Sequence, residues 1–239
     1  MTPHMQIESL RPDLHRIVVP SPTLPPATST NAWITDSQQG LVVDPAAHTA
    51  KNQAALIEHL KPFAPRAVFL THHHHDHIAA VRSIRDHFGI PVLAHKDTAA
   101  LIDVPIDQHI EHGDQLTMTQ DVWTAIHTPG HAPGHLCLLS QQDRTVIAGD
   151  MVAGEGTILI NPSEGSIREY IHSLTILQQC INKPYPENNI IKPTILYPTK
   201  KMVDKLNQQE MEKITTADYT FSSSIIQESE STPSSSSKT

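Results

Sequence analysis

Thr71-His72-His73-His74-His75-Asp76-His77 follows the apolar run Ala67-Val68-Phe69-Leu70 and precedes a helical pattern. Read as His72-x-His74-x-Asp76-His77, it sets three imidazoles and a carboxylate within six positions. On extended backbone, residues two apart point the same way. His72 and His74 therefore project together from the strand end, with Asp76 continuing on that side. His77 joins them if the chain turns there into the following helix. Neutral imidazole offers nitrogen and carboxylate offers oxygen, the mix that zinc, iron and manganese accept. Four consecutive histidines also suit a solvated loop or a tag. A tag, however, sits at a terminus, not between a buried strand and a helix.

The chain has 239 residues, enough for one large core of α/β size. Its formal net charge of -8 gives no global basic balance to hold nucleic-acid phosphates, which argues against a DNA partner. A local basic groove stays open, because net charge does not say where charges lie. Only Cys137 and Cys180 are present, which fits a reducing cytosol better than a secreted scaffold. Cys137 lies inside Leu136-Cys137-Leu138-Leu139 and reads as a small core residue. No start-proximal charged-then-apolar segment reads as a secretory signal. No run approaches the ~20 apolar residues that span a bilayer. The expectation is a cytoplasmic protein with no membrane partner.

Outward from the histidine run, the N-terminal half alternates strands and helices. Ile17-Val18-Val19 reads as a strand, then Pro20 to Pro26 as irregular loop, since proline removes a ladder donor. Ala32 to Thr35 and Leu41 to Val43 read as a strand pair around the turn residues Asp36 to Gly40. Lys51 to Phe63 and Ile78 to Phe88 carry apolar residues near helical spacing. Gly89 and Pro91 end the second helix, Val92-Leu93 is a strand, and Thr98 to Leu101 a short helix. This alternation points to a layered α/β arrangement.

From residue 115 the texture turns mostly β. Leu116 to Met118, Trp123 to Ile126, Leu136 to Leu139 and Thr145 to Ala148 read as strands, followed by an amphipathic helix over Ser166 to Cys180. Ile195-Leu196-Tyr197 is a last strand and Lys200 to Lys213 a polar helix. The serine-rich tail has too little apolar surface to offset ordering entropy, so the reading is one domain over 1–220 and a disordered tail over 221–239.

More ligand candidates lie downstream. His131 sits in Thr128-Pro129-Gly130-His131, a turn directly after a strand that holds its side chain in place, as a metal ligand needs. His135 opens the next apolar run and reads as structural, or as a support to the ligands. Asp150, in Ala148-Gly149-Asp150, ends an apolar strand; its two oxygens suit bridging two cations, although a lone Asp there is more often a turn or cap.

Taken in order, His72-x-His74-x-Asp76-His77, Thr128-Pro129-Gly130-His131 and Gly149-Asp150 resemble the metallo-β-lactamase-fold hydrolase superfamily. The likeness runs from about residue 12 to about residue 198, and Val42-Val43-Asp44 resembles the strand-ending Asp near the start of that fold. Gly149 to Thr157 resembles the lactamase-β-like branch that includes endoribonucleases; glyoxalase II is a more distant relation with the same ligand pattern.

The resemblance implies an αββα four-layer sandwich: two mixed sheets face to face, helices outside and metal at one edge. It implies that His72, His74 and His131 hold one zinc, that Asp76 and His77 hold a second, and that Asp150 bridges both. A metal-bound hydroxide would be the nucleophile, with Asp76 orienting it as well as binding metal. One or two zinc ions are implied, with iron or manganese as alternatives. The substrate would be a small-molecule ester or thioester, or the phosphodiester of single-stranded RNA.

The sequence departs from the family pattern at one place. The family ends with a strand and a Pro-Gly/Ala-His-Gly turn whose histidine completes the second metal site. Here the corresponding stretch reads Leu196-Tyr197-Pro198-Thr199-Lys200-Lys201, and no histidine follows His172. An alternative reading is therefore an impaired or non-catalytic relative that keeps the fold and one metal. RNA binding with endoribonuclease-like activity is a third.

Overall fold

The computed structural model describes residues 5–181. Two sheets form among them. The first runs in spatial order β1 (Gln6–Arg11), β2 (Leu14–Pro20), β3 (Ser29–Ile34), β4 (Leu41–Val43), β5 (Ala67–Phe69), β6 (Val92–Ala94) and β7 (Gln108–His109). Pairing is antiparallel from β1 to β4 and parallel from β4 to β7. The second is antiparallel, built from β8 (Gln115–Thr117), β9 (Val122–His127), β10 (Leu136–Ser140) and β11 (Val146–Ile147). The helices are α1 (Ala50–Leu60), α2 (His75–Ile78), α3 (Val81–Phe88), α4 (Lys96–Ala99) and α5 (Ile167–Ile181).

Strand alternation explains the layering. Successive side chains point to opposite faces, so each central strand feeds two cores. In β4, Leu41 and Val43 face one core and Val42 the other; in β5, Ala67 and Phe69 face the first and Val68 the second. Val42 and Val68 meet Leu56, Leu60, Val81 and Ile84 of α1 and α3. Leu41, Val43 and Phe69 meet Trp123, Leu136 and Leu138 of the second sheet. The opposite face of β10, Cys137 and Leu139, packs on Leu177 of α5. The order is therefore helix, sheet, sheet, helix, the four-layer αββα sandwich that the sequence resemblance implied. Each fully buried Val, Leu or Phe in these layers contributes about 1.5–3 kcal/mol relative to exposure.

Elements expected from sequence recur with small shifts, and two differences bear on the site. The helix expected over Ile78 to Phe88 is two pieces, α2 and α3. Between them Ala80 leaves helical geometry (φ -101°, ψ 4°) and donates its N–H to the Pro45 carbonyl at 2.9 Å. That exchange makes α2 a separate turn that carries His77 inward. The second difference is β1, which had no sequence reading. Its residues are almost all exposed, so no alternation marks it. It is held by pairing with β2 and by Arg11, which bridges Asp13 at 2.8 Å and Asp121 at 2.7 Å and lies over the Trp123 ring. The strand expected at Ile195 to Tyr197, the helix at Lys200 to Lys213 and the serine-rich tail lie outside the described residues. No helix among the described residues is long and apolar enough to cross a membrane.

Candidate metal centre

The parallel strands and the β9–β11 connections end at one edge, as is common for ligand sites in α/β sheets. β4 ends in Asp44, β5 leads into Thr71 and His72, β9 leads into His131, and β11 leads into Asp150.

Asp44 organises the first layer. It stands in left-handed backbone (φ 50°), a conformation that Asp tolerates better than most residues. Its Oδ1 accepts from Thr71 N–H at 2.8 Å, and its Oδ2 accepts from the Thr71 hydroxyl at 2.6 Å and His77 Nδ1 at 2.9 Å. Because the Thr71 hydroxyl gives its proton to Asp44, its oxygen accepts from His72 Nδ1 at 2.9 Å. His72 therefore carries its proton on Nδ1 and turns the Nε2 lone pair inward.

The same logic fixes the other imidazoles. His131 Nδ1 donates to the Leu159 carbonyl at 2.9 Å, leaving Nε2 bare. His74 Nε2 donates to Glu164 Oε1 at 3.2 Å, leaving Nδ1 bare. These bare nitrogens meet: His72 Nε2 lies 3.1 Å from His74 Nδ1, and His131 Nε2 lies 2.9 Å from it. Asp150 adds Oδ2 at 3.3 Å from His131 Nε2 and 3.9 Å from His72 Nε2. Three lone pairs and a carboxylate facing one another repel unless a cation or proton sits among them. Second-layer acceptors on ligating imidazoles are the usual companion of metal binding, so this donor set fits a divalent metal.

Electrostatics agree. Burial, reinforced by the neighbouring imidazoles, pushes His72 and His135 well below the ordinary histidine value. Burial also lowers His131, with Asp150 opposing. His77 goes the other way. Burial pulls it down, but Asp150 and Asp44 outweigh burial and hold it well above the usual value. Asp150 resists burial through His77 and His131 and stays well below the usual carboxylate range. His77 thus lies between two carboxylates that favour its protonated form, with Nδ1 2.9 Å from Asp44 Oδ2 and Nε2 3.1 Å from Asp150 Oδ1.

His72, His74, His131 and Asp150 thus form one group that could hold a metal ion. His77 meets it at Asp150, 3.1 Å away, and at the His72 ring, 4.2 Å between centroids, and with Asp44 and His72 makes a second cluster. Asp76 stands outside the group, half-buried in α2; its charge opposes the lowering of His48 by burial and by His75. His135 lies outside this group. Its Nε2 accepts the Asp150 backbone N–H at 3.1 Å and its Nδ1 donates to Thr128 at 2.8 Å, so it seats the Asp150 turn from beneath. Two glycines are required here. A Cβ on Gly149 (φ 49°) would stand 2.6 Å from His135 Nε2, and one on Gly130 (φ 125°) would stand 2.2 Å from Tyr170 N.

Glu164 and the Leu159 carbonyl had no reading from sequence. Glu164 lies 90 residues from His74, in a loop whose spacing gives no signal. A further group, His95, Asp97 and His127, also gathers potential ligands. One nitrogen of each ring is taken: His95 Nδ1 accepts from Asp97 N–H at 3.2 Å, and His127 Nε2 donates to the Pro133 carbonyl at 2.9 Å. The two rings stack 4.4 Å apart at 8°, so their in-plane lone pairs run parallel instead of converging. Cys137 is buried, and burial pushes its thiol up to about 12, the inert core residue that its apolar run indicates.

A profile of the Metallo-beta-lactamase superfamily matches residues 25–183. The chain belongs to this superfamily. Among similar members, a hydroxyacylglutathione hydrolase of Salmonella paratyphi A is 32% identical over 120 residues, 49% of this chain and 46% of that protein. A hydroxyacylglutathione hydrolase of Wigglesworthia glossinidia brevipalpis is 31% identical over 163 residues, 62% of this chain and 61% of that protein. The chain thus spans about half the length of the curated relatives it matches. Among solved superfamily structures, BLEG-1 B3 metallo-beta-lactamase superposes with a TM-score of 0.55 at 26% identity, covering 68% of this chain and 83% of that one.

Proposed function

We propose that this protein is a zinc-dependent hydrolase whose substrate is a small-molecule thioester of the acyl-glutathione class. The observation that carries the metal reading is the convergence of His72 Nε2, His74 Nδ1 and His131 Nε2 on one point beside Asp150, each outer nitrogen tied to an acceptor. The thioester class is supported by the hydroxyacylglutathione hydrolases among its relatives.

In this reading His72, His74 and His131 would hold one ion, Asp76 and His77 would hold a second, and Asp150 would add its carboxylate to the site. When bound, zinc supplies an acidified water and a Lewis acid for the scissile carbonyl oxygen. The protein's own contribution is preorganisation. Thr71, Leu159 and Glu164 fix the imidazole tautomers, so no rotation is needed on binding. Asp44 holds His77 against Asp150. His135 fixes the Asp150 backbone. Asp76, on the turn beside the ligands, is the residue assigned to orient the attacking water. Both described cysteines are free thiols, in keeping with a cytoplasmic setting.

The test is turnover of S-lactoylglutathione, followed by loss of the thioester absorbance, alongside a β-lactam and a phosphodiester. Zinc-dependent thioester cleavage faster than either alternative supports the assignment. Preferential cleavage of the phosphodiester would move the chain to a nuclease role. A second reading, a metal-binding relative with impaired turnover, is favoured by Thr199-Lys200, which stand where the family pattern has its last histidine. Zinc binding without turnover of any of the three substrates would select it.

A further inference from the structure

The loop between β11 and α5 does more than connect them. Its Leu159 carbonyl takes the outer nitrogen of His131 at 2.9 Å, and its Glu164 takes that of His74 at 3.2 Å. Two of the three imidazoles of the first site are thus set by a single segment. The same Glu164 uses its other oxygen, Oε2, to accept from His73 Nε2 at 2.9 Å. The carboxylate is therefore held from both sides by adjacent residues of the histidine run.

The segment is itself fixed. Glu164 N–H donates to the Asn161 carbonyl at 3.1 Å and Gly165 N–H donates to it at 2.7 Å, closing a tight turn. Ser166 N–H donates to the Gly130 carbonyl at 2.8 Å, tying the turn to the loop that carries His131. Gly165 packs so closely there that a Cβ would stand 2.5 Å from the Gly130 oxygen. Glu164 is thus presented to His74 by a braced turn, not by a freely swinging side chain.

From this geometry we infer that Glu164 is a positioning residue, which clamps His74 with its Nδ1 lone pair facing the metal point and is itself steadied by His73. The inference rests on the metal reading proposed above. Two physical effects follow from the contact. An imidazole can flip about χ2 or exchange tautomers, and a carboxylate at Nε2 removes both freedoms. A carboxylate hydrogen-bonded to the far nitrogen also makes the near nitrogen a stronger donor to metal. His73, which lies between two ligand positions and belongs to neither ligand set, gains a role as the brace on Glu164.

The test measures zinc affinity by chelator competition, and the visible spectrum of the cobalt(II)-substituted protein, for wild type, Glu164→Gln and Glu164→Ala. Folding of each variant is checked by urea unfolding. Loss of the second-layer partner is expected to weaken zinc binding in Glu164→Ala by about 10–100-fold. The cobalt bands should shift, since His74 is then free to turn. Glu164→Gln keeps an acceptor oxygen but loses the charge and one of the two clamps, and should fall between. Should Glu164→Ala fail to fold, Glu164→Gln alone decides. A folded variant that binds zinc within twofold of wild type, with an unshifted cobalt spectrum, overturns the role of Glu164 and leaves the metal centre standing. Failure of wild type to bind zinc overturns the metal reading itself, and the clamp with it.

Discussion

His77 Nδ1 lies 2.9 Å from Asp44 Oδ2, and the same Asp44 accepts both the N–H and the hydroxyl of Thr71. One buried carboxylate thus sets the orientation of two neighbours of the metal point. Its Oδ2 takes both Thr71 Oγ1 and His77. Asp44→Asn puts an amide NH2 opposite one of the Thr71 or His77 donors and removes a negative charge that, with Asp150, raises His77. The expected cost is about 2–5 kcal/mol, as for breaking one side of a buried charged network. Urea unfolding of metal-free wild type and variant measures it. A loss below about 1 kcal/mol, the size of a single neutral hydrogen bond, would show that Asp44 is not the organiser of this layer.

Gly149 offers a test with a different cause. Its φ of 49° disfavours any Cβ, and the added carbon would meet His135 Nε2 at 2.6 Å and Thr71 Oγ1 at 2.8 Å. Both contacts are supports of the site, so relief must come from the site. Gly149→Ala should lose about 1–3 kcal/mol of stability from strain and overpacking, and weaken zinc binding as well. Thermal unfolding together with a zinc titration distinguishes this from a change confined to a loop, which would alter neither.

The metal-free protein should lose stability as pH falls from about 7 to about 5. His72, His131 and His135 have folded-state values below that of an unfolded histidine. Each therefore contributes stability that is complete above the unfolded value and is lost as pH falls below it, at up to about 1.4 kcal/mol per pH unit per group. His77 has a raised value, so its contribution is complete below the unfolded value and is lost as pH rises through the folded one. His48, His73 and His95 are lowered as well, so six depressed imidazoles stand against one raised and the net is a fall in acid. Asp150, held low, keeps its contribution across this range, losing it only at more acidic pH. Urea midpoints of the chelated protein at several pH values check the sign; a midpoint that rises toward pH 5 would refute the charge assignments.

Much of this was legible in the sequence, for identifiable reasons. β4, β5 and β10 are short apolar runs bounded by breakers, and α1 and α5 carry clear apolar stripes, so their existence and type could be read. That His72, His74, His131 and Asp150 gather at one place was legible because each follows a strand whose end fixes it at the sheet edge. The split at Ala80 was not, because Ile78, Val81 and Ile84 keep helical spacing across it. What breaks the helix is a hydrogen bond to Pro45, a tertiary event. β1 stayed hidden because a mostly exposed edge strand has no buried face to pattern it. Glu164 stayed hidden because nothing local marks a carboxylate whose partner lies 90 residues away. Asp76 was read as a ligand from its place in the motif. In the structure it lies outside the contact group of His72, His74, His131 and Asp150, so its place in a second site remains part of the proposal.

The central claim is that the inward nitrogens of His72, His74 and His131 share one metal ion. Its most direct test is the zinc content of protein purified from zinc-supplemented medium, measured by mass spectrometry for wild type and for His131→Ala. His131 supplies one of three nitrogens and lies 3.3 Å from Asp150 through the same atom. The account predicts at least one zinc per wild-type chain, and loss of the tightly held ion in His131→Ala with the fold retained. Wild-type protein without zinc, or His131→Ala with the full wild-type content, would contradict it.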